Sequence, residues 1–313
     1  MTTARTIIDL SKVPAPKVVA EIDYEVILNE LIADFNLMAK PIGIRVKTNH
    51  KDDAKADVLV VESDPIFKLL EVFAYREMLI RQRVNDGAKS CMLAYAIGED
   101  LDNLAALYDV SRHIIAEATA DSAAILESDE RFRRRILLAM DSLGSAGSAD
   151  SYLFHSLSSS PEVQDAYVSS PSEGEVKIVI WSNKGNPVGT ASAELIEKVK
   201  SVVNGEDVRP LTDKVSVEGA VIVNLGLKLK IKVYDGVGVD EAVNAVKASV
   251  LKLFEDSKQI GMKLPVSAIY SAAHISKVVE EVEIVTDSGD GSIDLAANEA
   301  PGSIFDVQVT LGS

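Results

Sequence analysis

Apolar side chains recur at helical spacing along the first half of the chain and at alternate positions along the second. Tyr24, Ile27, Leu28, Leu31, Ile32 and Phe35 fall on one face of a helix that spans Tyr24 to Met38 and stops before Pro41. Polar and charged residues from Lys47 to Lys55 read as a surface loop. The strongest helix follows, with Ser63 or Asp64 as cap and Pro65 where a missing N–H costs nothing. From Ile66 to Val84 it is apolar around most of its circumference. At about 100° per residue, Lys68, Glu71, Gln82, Arg83 and Asp86 form a polar sector opposite Ile66, Leu69, Leu70, Phe73, Ile80 and Val84. Glu77 and Arg81 fall on the apolar side, four residues apart, where they can pair. Two readings follow: an intrachain pair at the edge of a core, or a face packed on another subunit with the pair fixing its register.

Shorter helices are predicted from Leu101 to Tyr108, Phe132 to Leu143 and Tyr152 to Leu157, with Gly144 to Ser148 as a flexible break. The period then changes. Gln164 to Val168 and Glu175 to Trp181 read as a hairpin, Ala193 to Val203 as a helix and Lys214 to Glu218 as a strand. A similar order recurs: a strand from Val221 to Tyr234, helices from Val239 to Phe254 and Val266 to Ala273, and strands from Lys277 to Val285 and Phe305 to Leu311. The expected fold class is α+β. A helical domain over residues 1–145 precedes two small two-layer α+β domains, 146–219 and 220–313.

Composition narrows the function. The 313 residues carry a formal charge of -16, which disfavours phosphate backbones and acidic membrane surfaces as partners. No run approaches the roughly 18 apolar residues of a membrane span, and no signal peptide is apparent, so no membrane insertion is expected and the chain is read as folding in the cytoplasm. One cysteine, Cys91, allows no intrachain disulfide, and its neighbours suggest a helical core position. His50, His113, His155 and His274 lie far apart, without the spacing of a metal site or triad. Phosphate-loop, dinucleotide and nucleophile-elbow patterns are missing. The acidic stretch Asp287 to Asp294 has glycine where a calcium loop needs oxygen ligands. Arg131, Arg133, Arg134 and Arg135 form a dense basic cluster, read as bridging acidic groups on a neighbouring helix or subunit. No catalytic, cofactor-binding or metal residues are assigned.

Several consecutive segments carry a resemblance. Glu62-Ser63-Asp64-Pro65, Lys68-Leu69-Leu70-Glu71 and Ala74-Tyr75-Arg76-Glu77, then Arg81, Arg83, Val84 and Asn85, resemble the central helix of the baseplate J-like family. Met92 to Ala96, Asp100 to Ala105, Glu127 to Ile136 and Asp207 to Asp213 continue the likeness in the family's order. The resemblance implies a structural wedge subunit of a contractile phage tail or related particle, placed in the virion tail baseplate after assembly in the host bacterial cytoplasm. It further implies self-association and pairing with a second wedge subunit through a helical core bundle. The C-terminal domain would join neighbouring wedges in a six-fold ring that triggers sheath contraction, with sheath-initiator and hub or tube proteins as further partners. No nucleic acid or cofactor is implied. The interface expected from the helix pattern is Leu69, Leu70, Phe73, Arg76, Glu77, Ile80, Arg81 and Val84. The competing readings are a cytoplasmic adaptor and an enzyme using scattered carboxylates such as Asp207, Asp213 and Glu218.

Overall fold

The computed structural model describes residues 21–39, 65–119, 122–142, 147–285 and 291–311, with Leu10, Val13 and Pro14. The Lys47 to Lys55 loop, the Ser63 and Asp64 cap and most of the acidic stretch after Asp287 lie outside the described residues. The chain divides into two compact units, 5–107 and 108–313.

In the first unit, α1 (Tyr24–Ala39) begins at Asp23, whose Oδ1 accepts the amides of Glu25 and Val26 at 2.8 and 3.3 Å. It packs on α2 (Pro65–Ser90) through Ile27, Leu28 and Ile32 against Leu70 and Ala74. A short helix, α3 (Gly98–Ala106), buries Leu101 and Ala105. Helix α2 runs four residues past the expected Asp86, because Gly87 to Ser90 carry no large apolar side chain to announce the continuation.

The second unit begins with a two-stranded ribbon, β1 (Ile114–Ala116) against β2 (Ile125–Leu126). Helices α4 (Asp129–Ser142) and α5 (Ala149–Ser159) then pack together, the latter capped by Ser148. On α4 the buried side chains are Phe132, Arg135, Ile136, Leu138 and Ala139, while Met140 is exposed. Gly147 has a φ of 66°, and a Cβ there would lie 2.6 Å from Pro210 Cγ. The end of the expected flexible break is therefore tightly packed between two helices that touch.

The hairpin of β3 (Val163–Ser169) and β4 (Glu175–Ser182) forms as the alternation predicts, and β5 (Lys214–Gly219) joins β4 in parallel after α6 (Ala193–Val203). In the second sheet β6 (Val221–Val233) is central. After α7 (Val239–Ser257), β7 (Lys263–Leu264) and α8 (Val266–Ala273), the chain adds β8 (Val279–Val285) antiparallel to β6. A short β9 (Ile293–Asp294) pairs with β7, and β10 (Glu299–Leu311) runs parallel to β6 on its other edge. Each sheet thus has a central strand with one parallel and one antiparallel neighbour. The order of elements does not repeat, because the central strand comes second in one sheet and first in the other.

The larger core lies under the second sheet, where Leu227, Leu229 and Ile231 of β6 meet Val246, Val250 and Phe254 of α7. A smaller cluster of Val179, Trp181, Ala220, Ile260 and Ala300 joins the two sheets.

Candidate functional site

Helix α2 offers two different faces. The side toward α1 is filled by Leu70 and Ala74, which are 7% and 0% exposed. About 90° around the helix, Leu69, Phe73, Ile80 and Val84 remain 55%, 53%, 65% and 58% exposed, and Val72, Tyr75 and Leu79 are exposed further round. Among the eight residues expected at an interface, Leu70 is packed under α1 within this chain. Leu69, Phe73, Ile80, Val84 and Arg76 share the open face.

Glu77 and Arg81 pair as their spacing predicts, with Arg81 Nε donating to Glu77 Oε1 at 3.0 Å. Arg81 Nη2 also reaches Glu30 of α1 at 3.2 Å. The hydrogen bonds that Arg81 donates to Glu77, and then to Glu30, raise its pKa above the ordinary value. All three side chains are at least one-third exposed, so this is a solvated clasp between α1 and α2, which water screens and which adds little to stability.

Toward its C-terminal end the open face becomes a groove of about 670 Å³, floored by Leu79, Ile80 and Gly87 and bordered by Arg76, Arg83, Asp86, Ser90 and Asp100. Arg83 sits at the edge of this groove, although the wheel grouped it with the polar sector. The signal for it was present: spacings of three and four residues continue from Leu69 through Arg76, Ile80 and Arg83 to Gly87 and Ser90.

The arginine cluster is turned inward. Arg135 Nη1 donates to Glu127 at 2.6 Å, and both side chains are almost fully buried. Arg131 donates to the carbonyls of Pro161, Leu157, Ser160 and Val163, closing the end of α5. Arg112 pairs with Asp129 at 2.7 Å and stacks over Phe132. Arg134 pairs with Asp165 at 2.8 Å, whose other oxygen accepts the Ile260 amide. The bridges to neighbouring helices are thus made within the chain.

Asp213 accepts from the buried Tyr152 hydroxyl at 2.9 Å, Glu218 pairs with Lys177, and Asp207 is exposed, so these carboxylates serve separate purposes. Among the described residues no three His, Cys, Asp or Glu side chains are grouped to hold a metal ion. Cys91 is exposed just past α2, because the helix ends one residue before it.

Residues 62–119 match the Baseplate J-like N-terminal domain, and residues 144–219 match the Baseplate J-like central domain. The chain is also 38% identical over 289 residues to baseplate protein J of Escherichia phage P2, spanning 91% of this chain and 92% of that protein. The chain belongs to the baseplate J-like family. The N-terminal family domain contains all of α2, its open face and the groove, while the central domain contains α5, the first sheet and α6. That kinship supports a structural role in a phage tail baseplate, with no catalysis required of the chain.

Proposed function

We propose that this baseplate J-like chain is a wedge subunit of a contractile tail. It assembles with a second copy of itself and a different wedge subunit through a helical core bundle built on α2. Residues 220–313 link neighbouring wedges into a six-fold ring, and rearrangement of that ring triggers sheath contraction. Sheath-initiator and hub or tube proteins are its further neighbours, and assembly takes place in the host bacterial cytoplasm.

The observation that carries this reading is the apolar stripe of α2 that α1 leaves exposed. Large contiguous apolar patches on protein surfaces mark interaction sites. A stripe at three- and four-residue spacing along a helix of 26 residues suits packing against other helices. A catalytic site, by contrast, needs convergent polar groups in a pocket.

The test is complementation in cells carrying the tail genes with this gene deleted. Phe73→Asp with Ile80→Asp should give tails without baseplates in electron micrographs. Because both side chains are more than half exposed, the purified double variant should keep its stability to within about 1 kcal/mol. Complete baseplates containing the variant would refute the reading.

A further inference from the structure

Gly87 lies inside α2, three residues before its end, and its φ is not in the left-handed range that would make it a cap. Glycine weakens a helix relative to alanine. A Cβ built there would meet nothing within 4 Å, so no packing within the described chain explains the missing side chain. Ser90, on the next turn, folds its hydroxyl back onto the Gly87 carbonyl at 3.0 Å, which leaves the surface flat.

Arg76 and Arg83 stand on the same face, seven residues apart and exposed. The chain has 48 acidic residues against 32 basic ones, yet neither arginine makes an ion pair with a described residue. Asp86 and Asp100 border the groove, but Asp86 accepts from Gln82 at 2.8 Å. Of the other basic residues of α2, Lys68 pairs with Glu71 and Arg81 with Glu77 and Glu30, while Lys89, at the end of the helix, makes no ion pair with a described residue.

Resting on the wedge reading, we infer that this groove receives an α-helix of a different protein. That helix carries carboxylates seven residues apart opposite Arg76 and Arg83, and a bulky apolar side chain that packs onto the bare backbone at Gly87. A second copy of α2 does not fit. Two parallel copies would set Arg76 against Arg76, Arg83 against Arg83 and Gly87 against Gly87, which repels twice and leaves a void. Antiparallel copies offer too few carboxylates: the stripe of Ile66, Leu69, Phe73, Ile80 and Val84 has none, and of the two that border the groove Asp86 is held by Gln82, which leaves Asp100 alone against two arginines. Homotypic contacts of the wedge would then use the remaining apolar surface of α2.

Two experiments in the complemented deletion strain test this. Gly87→Leu should keep or raise the melting temperature of the purified chain, because leucine is the better helix former. It should nonetheless reduce tails bearing baseplates by about tenfold or more, since overpacking a tight contact is costly. Arg76→Glu with Arg83→Glu should reduce them similarly. In the second experiment a photoreactive phenylalanine replaces Val84, and assembled particles are irradiated. Crosslinks to a helical segment of another tail protein with acidic residues at a spacing of seven are expected. Crosslinks to this same chain, to a segment lacking those carboxylates, or to nothing in complete particles would overturn the inference. So would normal assembly of both the Gly87 and the arginine variants. If Ile80→Asp still blocks assembly in that case, the wedge reading stands and only the close-packed acidic helix falls; if Ile80→Asp also assembles, both fall.

Discussion

The Glu127 side chain is fully buried and binds a crowded positive cluster. Besides Arg135, it has Arg131 Nε 3.5 Å from Oε1, and Oε2 accepts the His113 amide at 3.1 Å. The same residue ties down the base of the β1–β2 ribbon, since its amide donates to the His113 carbonyl and its carbonyl accepts from Arg112. Removing the carboxylate would leave buried guanidinium groups uncompensated, so Glu127→Ala should destabilise the chain by about 3–5 kcal/mol. A urea midpoint equal to the parent's would deny Glu127 this part. His113 and His155 are both held below the ordinary imidazole pKa, His113 by burial and then by Arg135, His155 by burial. A base depressed in the folded chain takes its proton more readily when unfolded. Stability should therefore be full above about pH 6.5 and fall as the pH drops below it. Melting curves at about pH 7.5 and about pH 5.5 should show that loss, and His113→Gln should remove part of it; an equal loss in the variant would clear His113.

At the scale of elements, the spacing of apolar residues locates the helices and the six longer strands, because period 3.6 and period 2 leave different marks, whereas the two- and three-residue strands β1, β2, β7 and β9 are too short to show a period. Partners of those elements were less legible. Leu69 and Leu70 are identical in type and adjacent in sequence, yet one faces solvent and the other faces α1; only the position of α1 separates them. Helix ends without large apolar side chains leave little trace either, as at Gly87 to Ser90. The last strand was read from Phe305 but begins at Glu299. Pro301 and Gly302 disguise its start, and the pairing shifts between Pro301 and Phe305. An edge strand tolerates proline, which a central one would not. Parallel pairing of β10 with β6, across so many intervening residues, leaves no local trace in sequence.

For the whole molecule, the cluster around Trp181 and Ile260 makes the two sheets share apolar cover. Asp165 adds a second tie, accepting the Ile260 amide on one oxygen while Arg134 holds the other. Cutting the chain between Gly219 and Ala220 would expose Val179 and Trp181 on one side and Ala300 on the other. Calorimetry of residues 108–313 should accordingly show one cooperative transition, and two resolved transitions would mean that the shared cluster contributes little.

The pairing of β6 with β10 also sets a schedule for synthesis. Once β6 has left the ribosome, its parallel edge must wait for a strand that begins about 65 residues later. At about 5–20 residues per second that wait is about 3–13 seconds. Throughout it, a row of unpaired amides and carbonyls is open to any extended segment nearby, including the same strand on a neighbouring nascent chain. Crowded translation of a single message is thus the moment at which this protein is most exposed to mispairing.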